Sequence, residues 1–337
     1  MGNIVFAAGG TGGHVSPAVA LAEAWKELSP DDSLFILGGN RVEEKDFFFP
    51  GEHVDIAAPQ SPLRPNNWFK LVTSYRCAKK IVKDHQVQAV IGTGGYASFP
   101  TLLAARHCKV PYWLLDANQR MGRVVKLLGK KAVKVIGPKG CTEKGQDPLG
   151  NPVRVRFEVC ERWQHSEGSP FHILVSGGSG GARALDQRLP GILNTLHKTI
   201  PLKVTHISRR DAAVAEYEME ASVRPPGPDF LELLQQCHLL IGRAGGSTIA
   251  ECNAAGRPQV LIPLPTSKDD HQRANAKVQA DNKAAIVLEQ SQSDEEWLKQ
   301  LRYFCESKAL KEAALSAYNS YPRKLAEQIV EDIRQHL

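Results

Sequence analysis

Asn3-Ile4-Val5-Phe6-Ala7-Ala8 runs straight into Gly9-Gly10-Thr11-Gly12-Gly13-His14. Far downstream, Phe171-His172-Ile173-Leu174-Val175 runs into Ser176-Gly177-Gly178-Ser179-Gly180-Gly181-Ala182. Each stretch reads as a short apolar strand, a glycine-rich turn and the start of a helix, the first helix extending to about Leu28. This is the opening βα unit of a nucleotide-binding, Rossmann-like domain, and it occurs twice. A glycine turn lets backbone N–H groups approach an anion closely, and the helix behind it adds a favourable dipole. Two such turns in matching places suggest two anionic groups, one per domain.

The sequence between and after these turns keeps the alternation. Strands are predicted at Ser33–Leu37, Ala89–Gly92, Tyr112–Leu115 and Val133–Ile136, then at Lys203–Ile207, Leu239–Ile241, Gln259–Ile262 and Ala285–Leu288. Each is short, rich in Val, Ile and Leu, and separated from the next by a helix-length segment, which favours parallel sheets over a β-sandwich. The division expected is residues 1–155 and 156–319. Glu161–Pro170, polar and bearing Gly168 and Pro170, reads as a linker. A last helix, roughly Arg323–His336, has either domain open to it, and a return of residues 320–337 to the first is one arrangement.

The bulk properties agree with a folded two-domain chain. There are 337 residues, of which 42% are hydrophobic and 23% charged. No stretch approaches the ~20 apolar residues that span a bilayer. The start shows neither a signal-peptide cleavage pattern nor a myristoylation signal, since Phe6 stands where Ser or Thr is wanted. A cytoplasmic protein is therefore expected. The seven scattered cysteines form no CxxC pair, so no disulfide framework or structural zinc site is suggested. A net charge of +6 suits a phosphorylated substrate or an anionic membrane surface. Nucleic acid is disfavoured, because neither a zinc-finger spacing nor an RNP-like aromatic motif is present.

Two common nucleotide chemistries fall away on spacing. GxGxxG fails because its third glycine would fall at Val15 or Arg183, and the second strand ends in Gly38-Gly39-Asn40-Arg41 without the ribose-binding acid. GxxxxGK[ST] is absent altogether. No DxD triplet occurs, so a metal-bridged diphosphate is not suggested.

Six stretches in order resemble motifs of the MurG family: Gly9–His14, Gly94-Gly95-Tyr96-Ala97-Ser98, Gly150-Asn151-Pro152-Val153-Arg154, Gly177–Ala182, Gly245-Gly246-Ser247-Thr248-Ile249-Ala250-Glu251, and Asp269-Asp270-His271-Gln272 with Asn275-Ala276. The resemblance implies two Rossmann-like domains facing across a cleft, the α/β architecture called GT-B. It implies transfer of N-acetylglucosamine from UDP-N-acetylglucosamine (UDP-GlcNAc) to lipid I, an undecaprenyl-diphosphate carrying muramyl-pentapeptide. UDP-GlcNAc would be a co-substrate, with no cofactor and no metal. The first domain would take the acceptor at the membrane and the second the donor; other wall-synthesis proteins are further candidate partners.

Carried over by position, Glu251 matches the family acid that accepts hydrogen bonds from the ribose, and Ser179 the position contacting the diphosphate. Arg154 matches a donor-site arginine, suited to a diphosphate by its charge. Gly246, Ser247, Thr248, Ile249 and Ala250 would line the nucleotide, Phe230 the uracil pocket, and His271 and Gln272 the sugar. Thr11, Gly12, Gly13 and Asn118 match sugar- or acceptor-side contacts, and Tyr96 lies on a cleft loop. Where the family shows His-Glu-Gln-Asn, this chain has Leu115-Asp116-Ala117-Asn118, so the acid is one methylene shorter.

For the reaction, His14 is the first candidate base, since a histidine exchanges a proton near neutral pH without much tuning. Asp116 is the second candidate, or the partner of His14. Each also has a plain structural reading: a loop hydrogen bond for His14, a structural acid for Asp116, packing for Tyr96. Pro65–Lys80 sets Trp68, Phe69, Leu71, Val72 and Tyr75 among Lys70, Arg76, Lys79 and Lys80, and Arg120–Lys134 adds further basic residues. Such a pattern suits an anionic membrane or a helix packed on its own domain. Competing functions are another UDP-sugar lipid glycosyltransferase, a sugar-nucleotide epimerase, and a scaffold that has lost catalysis.

Overall fold

The computed structural model describes residues 2–10, 12–39, 48–56, 68–165, 168–178, 180–209, 215–306 and 308–337. Two compact units divide them: Met1–Val155 with Lys324–Leu337, and Arg156–Arg323.

In the first unit the elements run β1 (Asn3–Ala7), α1 (Gly12–Leu28), β2 (Ser33–Gly38), β3 (Glu52–Asp55), α2 (Trp68–Asp84), β4 (Ala89–Gly92), α3 (Gly95–Cys108), β5 (Tyr112–Leu115), α4 (Arg123–Leu128) and β6 (Lys134–Ile136). All pairings are parallel, in the order β3-β2-β1-β4-β5-β6. Strands buried on both faces explain the unbroken apolar runs of β1, β4 and β5. The chain order reverses between β1 and β4, and ligands of open α/β sheets bind outside the carboxyl ends of the strands at such a point.

A short helix, α5 (Val155–Glu158), leads into the second unit: β7 (Phe171–Ser176), α6 (Arg183–His197), β8 (Leu202–Ile207), β9 (Ala221–Arg224), α7 (Phe230–Gln236), β10 (Leu239–Gly242), α8 (Gly246–Ala254), β11 (Gln259–Leu261), α9 (His271–Asp281), β12 (Ala285–Val287), α10 (Asp294–Glu306) and α11 (Ala309–Ser320). Its sheet is also wholly parallel, in the order β12-β11-β10-β7-β8-β9, and reverses between β7 and β10. The same α/β plan is thus built twice.

The last helix, α12 (Leu325–Arg334), returns to the first unit and packs on α1. Leu325, Ile329, Val330 and Ile333 are buried there. Lys134 Nζ clasps Asp332 at 2.9 Å, tying α12 to β6.

Two details differ from the sequence reading. The polar stretch around Glu161–Pro170 belongs with the second unit: Trp163 packs on its core and donates Nε1–H to His238 O at 2.7 Å. One anchored aromatic overrides the polar composition around it. The edge strands β3 and β9 are additions, exposed along most of their length and carrying no apolar run. Short polar edges of this kind discourage pairing with other chains.

Candidate functional site

In the first unit the loops after β1, β4 and β5 converge at the switch point. His14 stands in the first turn of α1, where its Nδ1 lies 2.9 Å from Thr93 O. A carbonyl only accepts, so Nδ1 carries the proton and the neutral ring has its lone pair on Nε2. Thr93 Oγ1 donates in return to His14 O at 2.6 Å. Against the ring lie Gly94 and Gly95, both in the left-handed region at φ +84° and +73°. A Cβ on Gly95 would fall 3.0 Å from His14 Cδ2 and 3.1 Å from Nε2, so only glycine leaves the imidazole its seat. Tyr96, half-buried, follows in α3 and packs against the core of this unit.

Asp116 leaves the end of β5 buried. Its Oδ1 accepts from Asn118 N at 3.1 Å and its Oδ2 from Gly122 N at 2.5 Å. The carboxylate thus ties both ends of the 117–122 loop, which carries Asn118 and leads into α4. Burial pushes its pKa up, while the two backbone N–H groups and the nearby His14 act against that shift. His14, Gly94–Tyr96, Asp116 and Asn118 are therefore one cluster. Gly12 and Gly13 open α1 beside it, and Thr11 lies outside the described residues. Arg154 and Asn151 are buried at the end of the unit, where Gly150 N donates to Gly137 O at 3.0 Å.

The second unit gathers the loops after β7, β10 and β11. Gly177 turns so tightly that a Cβ would meet Ala182 N at 2.5 Å. Gly181 N closes the turn on Gly178 O at 3.0 Å, ahead of α6. Ser179 lies outside the described residues. From the neighbouring strand, Arg243 N donates to Ser176 O, and Gly245-Gly246 starts α8. Helices α6, α8 and α9 each begin past the carboxyl end of a strand, so their positive ends share one edge of the sheet. Ser247 and Glu251 are buried on α8, among the half-buried or buried Thr248, Ile249 and Ala250.

Asn275 Nδ2 reaches Ala244 O at 3.0 Å, joining α9 to the loop before α8. Gln272 Oε1 accepts from Leu264 N at 2.9 Å, and His271 opens the helix half-buried. Phe230 opens α7 behind the 2.7 Å ion pair of Arg224 and Asp229, outside the hydrogen bonds that join α8 and α9.

Residues that the motifs do not mark hold these loops. Arg243 is buried and donates Nη1–H to Ile262 O at 3.0 Å and Nη2–H to Gln290 Oε1 at 2.9 Å, gathering the ends of three strands. Behind the glycine turn, His206 sits fully buried between Asp186 Oδ1, 3.2 Å from Nε2, and Tyr217 Oη, 2.8 Å from Nδ1. Nε2–H donates to the carboxylate and the phenol donates to Nδ1. Burial lowers the His206 pKa against the pull of Asp186, and raises that of Tyr217. Asp186, in the first turn of α6, was detectable only as an acid at a helix start.

Away from these loops, α2 buries Ser74, Ala78 and Val82 and leaves Trp68, Phe69 and Val72 outward, the two aromatics 64% and 82% exposed. Tyr75 hydrogen-bonds His107 at 2.7 Å. The segment is thus a helix packed on its own domain by one face, with an apolar and aromatic face exposed. Leu127 and Val133 are exposed as well, near Arg123, Lys126, Lys130 and Lys131.

Comparison with known proteins agrees with this layout. Residues 4–136 match the N-terminal domain model of glycosyltransferase family 28 and residues 172–336 its C-terminal domain model. A protein of Hydrogenovibrio crunogenus, named UDP-N-acetylglucosamine--N-acetylmuramyl-(pentapeptide) pyrophosphoryl-undecaprenol N-acetylglucosamine transferase, is 34% identical, covering 99% of this chain and 98% of its own length. One of the same name from Sinorhizobium fredii is 33% identical over 88% of this chain and 85% of its own. Among solved structures, a crystal structure of Acinetobacter baumannii MurG superposes with a TM-score of 0.77 at 29% identity, covering 99% of this chain and all of that one. The chain belongs to the MurG family of glycosyltransferases, within glycosyltransferase family 28.

Proposed function

We propose that the chain moves N-acetylglucosamine from UDP-GlcNAc to the C4 hydroxyl of the muramyl sugar of lipid I, giving lipid II with inversion at the anomeric carbon. The observation that carries the reading is the similarity to relatives of that name over most of both chains, at 33–34% identity. The second unit takes the donor: Glu251 accepts from the ribose, Ser179 and the turn at Gly177–Ala182 hold the diphosphate, and Gly246–Ala250 with Phe230 line the nucleoside. His271 and Gln272 read the sugar. The first unit takes the acceptor, through Thr11, Gly12, Gly13, Tyr96 and Asn118.

Chemically, the acceptor hydroxyl must lose a proton as the diphosphate leaves. His14 takes it through Nε2, because Thr93 O holds the proton on Nδ1. Asp116 assists from a distance, as the acid that orders the Asn118 loop and favours the imidazolium electrostatically. The leaving diphosphate is stabilised by the helix start behind the turn at Gly177–Ala182. Absence of a DxD triplet from the sequence supports transfer without a divalent ion.

The exposed face of α2, with Lys70, Arg76 and Lys80, docks on anionic lipid at the cytoplasmic face of the plasma membrane, where the acceptor lies. No helix of the described residues is long and apolar enough to cross a membrane, which agrees with peripheral attachment.

The test is transfer of labelled N-acetylglucosamine from UDP to a short-chain lipid I analogue in EDTA. Labelled disaccharide-lipid is the expected product. Product that appears only after magnesium is added would refute the metal-free step, and none under any condition would refute the acceptor.

A further inference from the structure

The entry into α9 is an unusual piece of backbone. Asp269 and Asp270 are consecutive non-glycine residues in the left-handed region, at φ +51° and +54°. Such residues are strained and persist only where their surroundings fix them. Here the fixing is visible. Asp270 N donates to Ser267 O and Ser267 N to Leu264 O, each at 3.0 Å. Arg273, one turn into the helix, reaches back with Nη1 to Asp270 Oδ2 at 3.2 Å. The rest of its guanidinium forks onto Glu289, Nε to Oε1 at 3.1 Å and Nη2 to Oε2 at 3.0 Å. Glu289 is itself anchored: its carbonyl accepts from the indole of the fully buried Trp297 at 3.0 Å, and its N–H donates to Gln292 Oε1 at 2.8 Å. A continuous set of bonds therefore runs from the core of the unit, through Glu289 and Arg273, to the strained turn.

That turn carries Gln272 in its next step. Leu264 N–H can only donate, so the Gln272 group facing it is the carbonyl Oε1. The amide is thereby fixed in one sense, with Nε2–H₂ as the end left to face a ligand. A glutamine held this way is a donor, suited to the oxygen of a sugar hydroxyl or acetamido carbonyl.

We propose that Arg273, clasped by Glu289 and Asp270, is a positioning residue that holds the left-handed turn so that Gln272 presents its amide N–H groups to the hexosyl part of the donor. The inference rests on the donor-site reading above and goes further by assigning a sugar-specific task to residues that touch no ligand. Arg273 is about half exposed, and exposed ion pairs add little to global stability. Its removal should therefore leave the fold intact and act locally. Lysine cannot make the bidentate fork.

The experiment compares affinities for UDP and UDP-GlcNAc, and KM and kcat for transfer, in wild type, R273A, R273K and E289Q, with thermal unfolding of each. Expected is an unchanged UDP affinity together with a UDP-GlcNAc affinity weakened about fivefold to tenfold in R273A and E289Q. KM rises by the same factor, R273K recovers only part of the loss, and an R273A/E289Q double variant is no worse than either single one. Equal losses for UDP and UDP-GlcNAc, or no loss at all in a wild-type background that binds both, would overturn the proposal. Wild type that binds UDP yet gains nothing from the sugar would instead overturn the donor-site reading on which it rests.

Discussion

The two glycine turns are the same device put to different ends. After β1 the turn delivers a side chain: His14 comes directly after it, its ring seated on Gly94 and Gly95 and its tautomer set by Thr93. After β7 the turn at Gly177–Ala182 offers backbone, with no titratable side chain among its residues, and its polar support is hidden behind it in Asp186, His206 and Tyr217. A strand–turn–helix start is thus a neutral platform. The residue just past the last glycine is histidine in one unit and alanine in the other, and under the proposed mechanism that difference would separate proton transfer from anion holding.

The sharpest way to break this contrast is H14A. Transfer should fall by roughly 10²–10⁴-fold, the usual worth of a positioned acid or base, with UDP affinity unchanged. Wild-type turnover in single-turnover assays would reduce the first turn to another anion cradle. E251A should do the reverse in the second unit, weakening UDP by about tenfold to a hundredfold in calorimetry, as for a lost hydrogen bond to a charged group. An unchanged UDP affinity would move the nucleotide elsewhere.

The hidden support comes next. D186A leaves the buried His206 Nε2–H without its acceptor, an expected cost of ~2–3 kcal/mol. Thermal unfolding should report the loss, and activity below the transition should persist. Persistence of the wild-type midpoint would mean that the buried triad does not hold α6.

Acid gives the smallest and most selective comparison. In the second unit, burial and the neighbouring His165 and His172 push His238 down to about 4 from 6.5. Between these values the unfolded chain binds the proton and the folded one does not. The stability His238 contributes is therefore complete above about pH 6.5 and is lost as pH falls toward 4. Asp116 in the first unit is shifted the other way, its pKa raised by burial. Its contribution is greatest below the unfolded value and declines as pH rises through the folded one. An H238F variant should flatten the acid dependence of unfolding, and a D116N variant should not; identical acid profiles for H238F and wild type would remove His238 from the account.

The central strands were legible because burial on both faces writes itself as Val-Ile-Leu runs: Ala89–Gly92 and Tyr112–Leu115 were read to the residue. The edge strands Glu52–Asp55 and Ala221–Arg224 were not, since an exposed strand needs no such run and its partner lies on another stretch of chain. The glycine turns stood out for the same local reason. Thr93, Arg243, Asn275 and Arg273 did not stand out as supports, because each acts across the fold; Thr93 meets His14 from 79 residues away. The attachment of Glu161 and Trp163 to the second unit is not legible in a composition that weighs all residues alike, because it rests on single bonds to Arg257 and to His238 O.

The return of α12 to α1 has a consequence for the order of synthesis. A nascent chain lays down residues 156–323 as one uninterrupted block, so the second unit has all its parts while Leu325–Arg334 is still unmade. The first unit, begun earliest, waits longest. Until α12 arrives, α1 lacks the helix that packs on it and Lys134 lacks Asp332. Although domains commonly mature from the amino terminus forward, this chain must finish its beginning last.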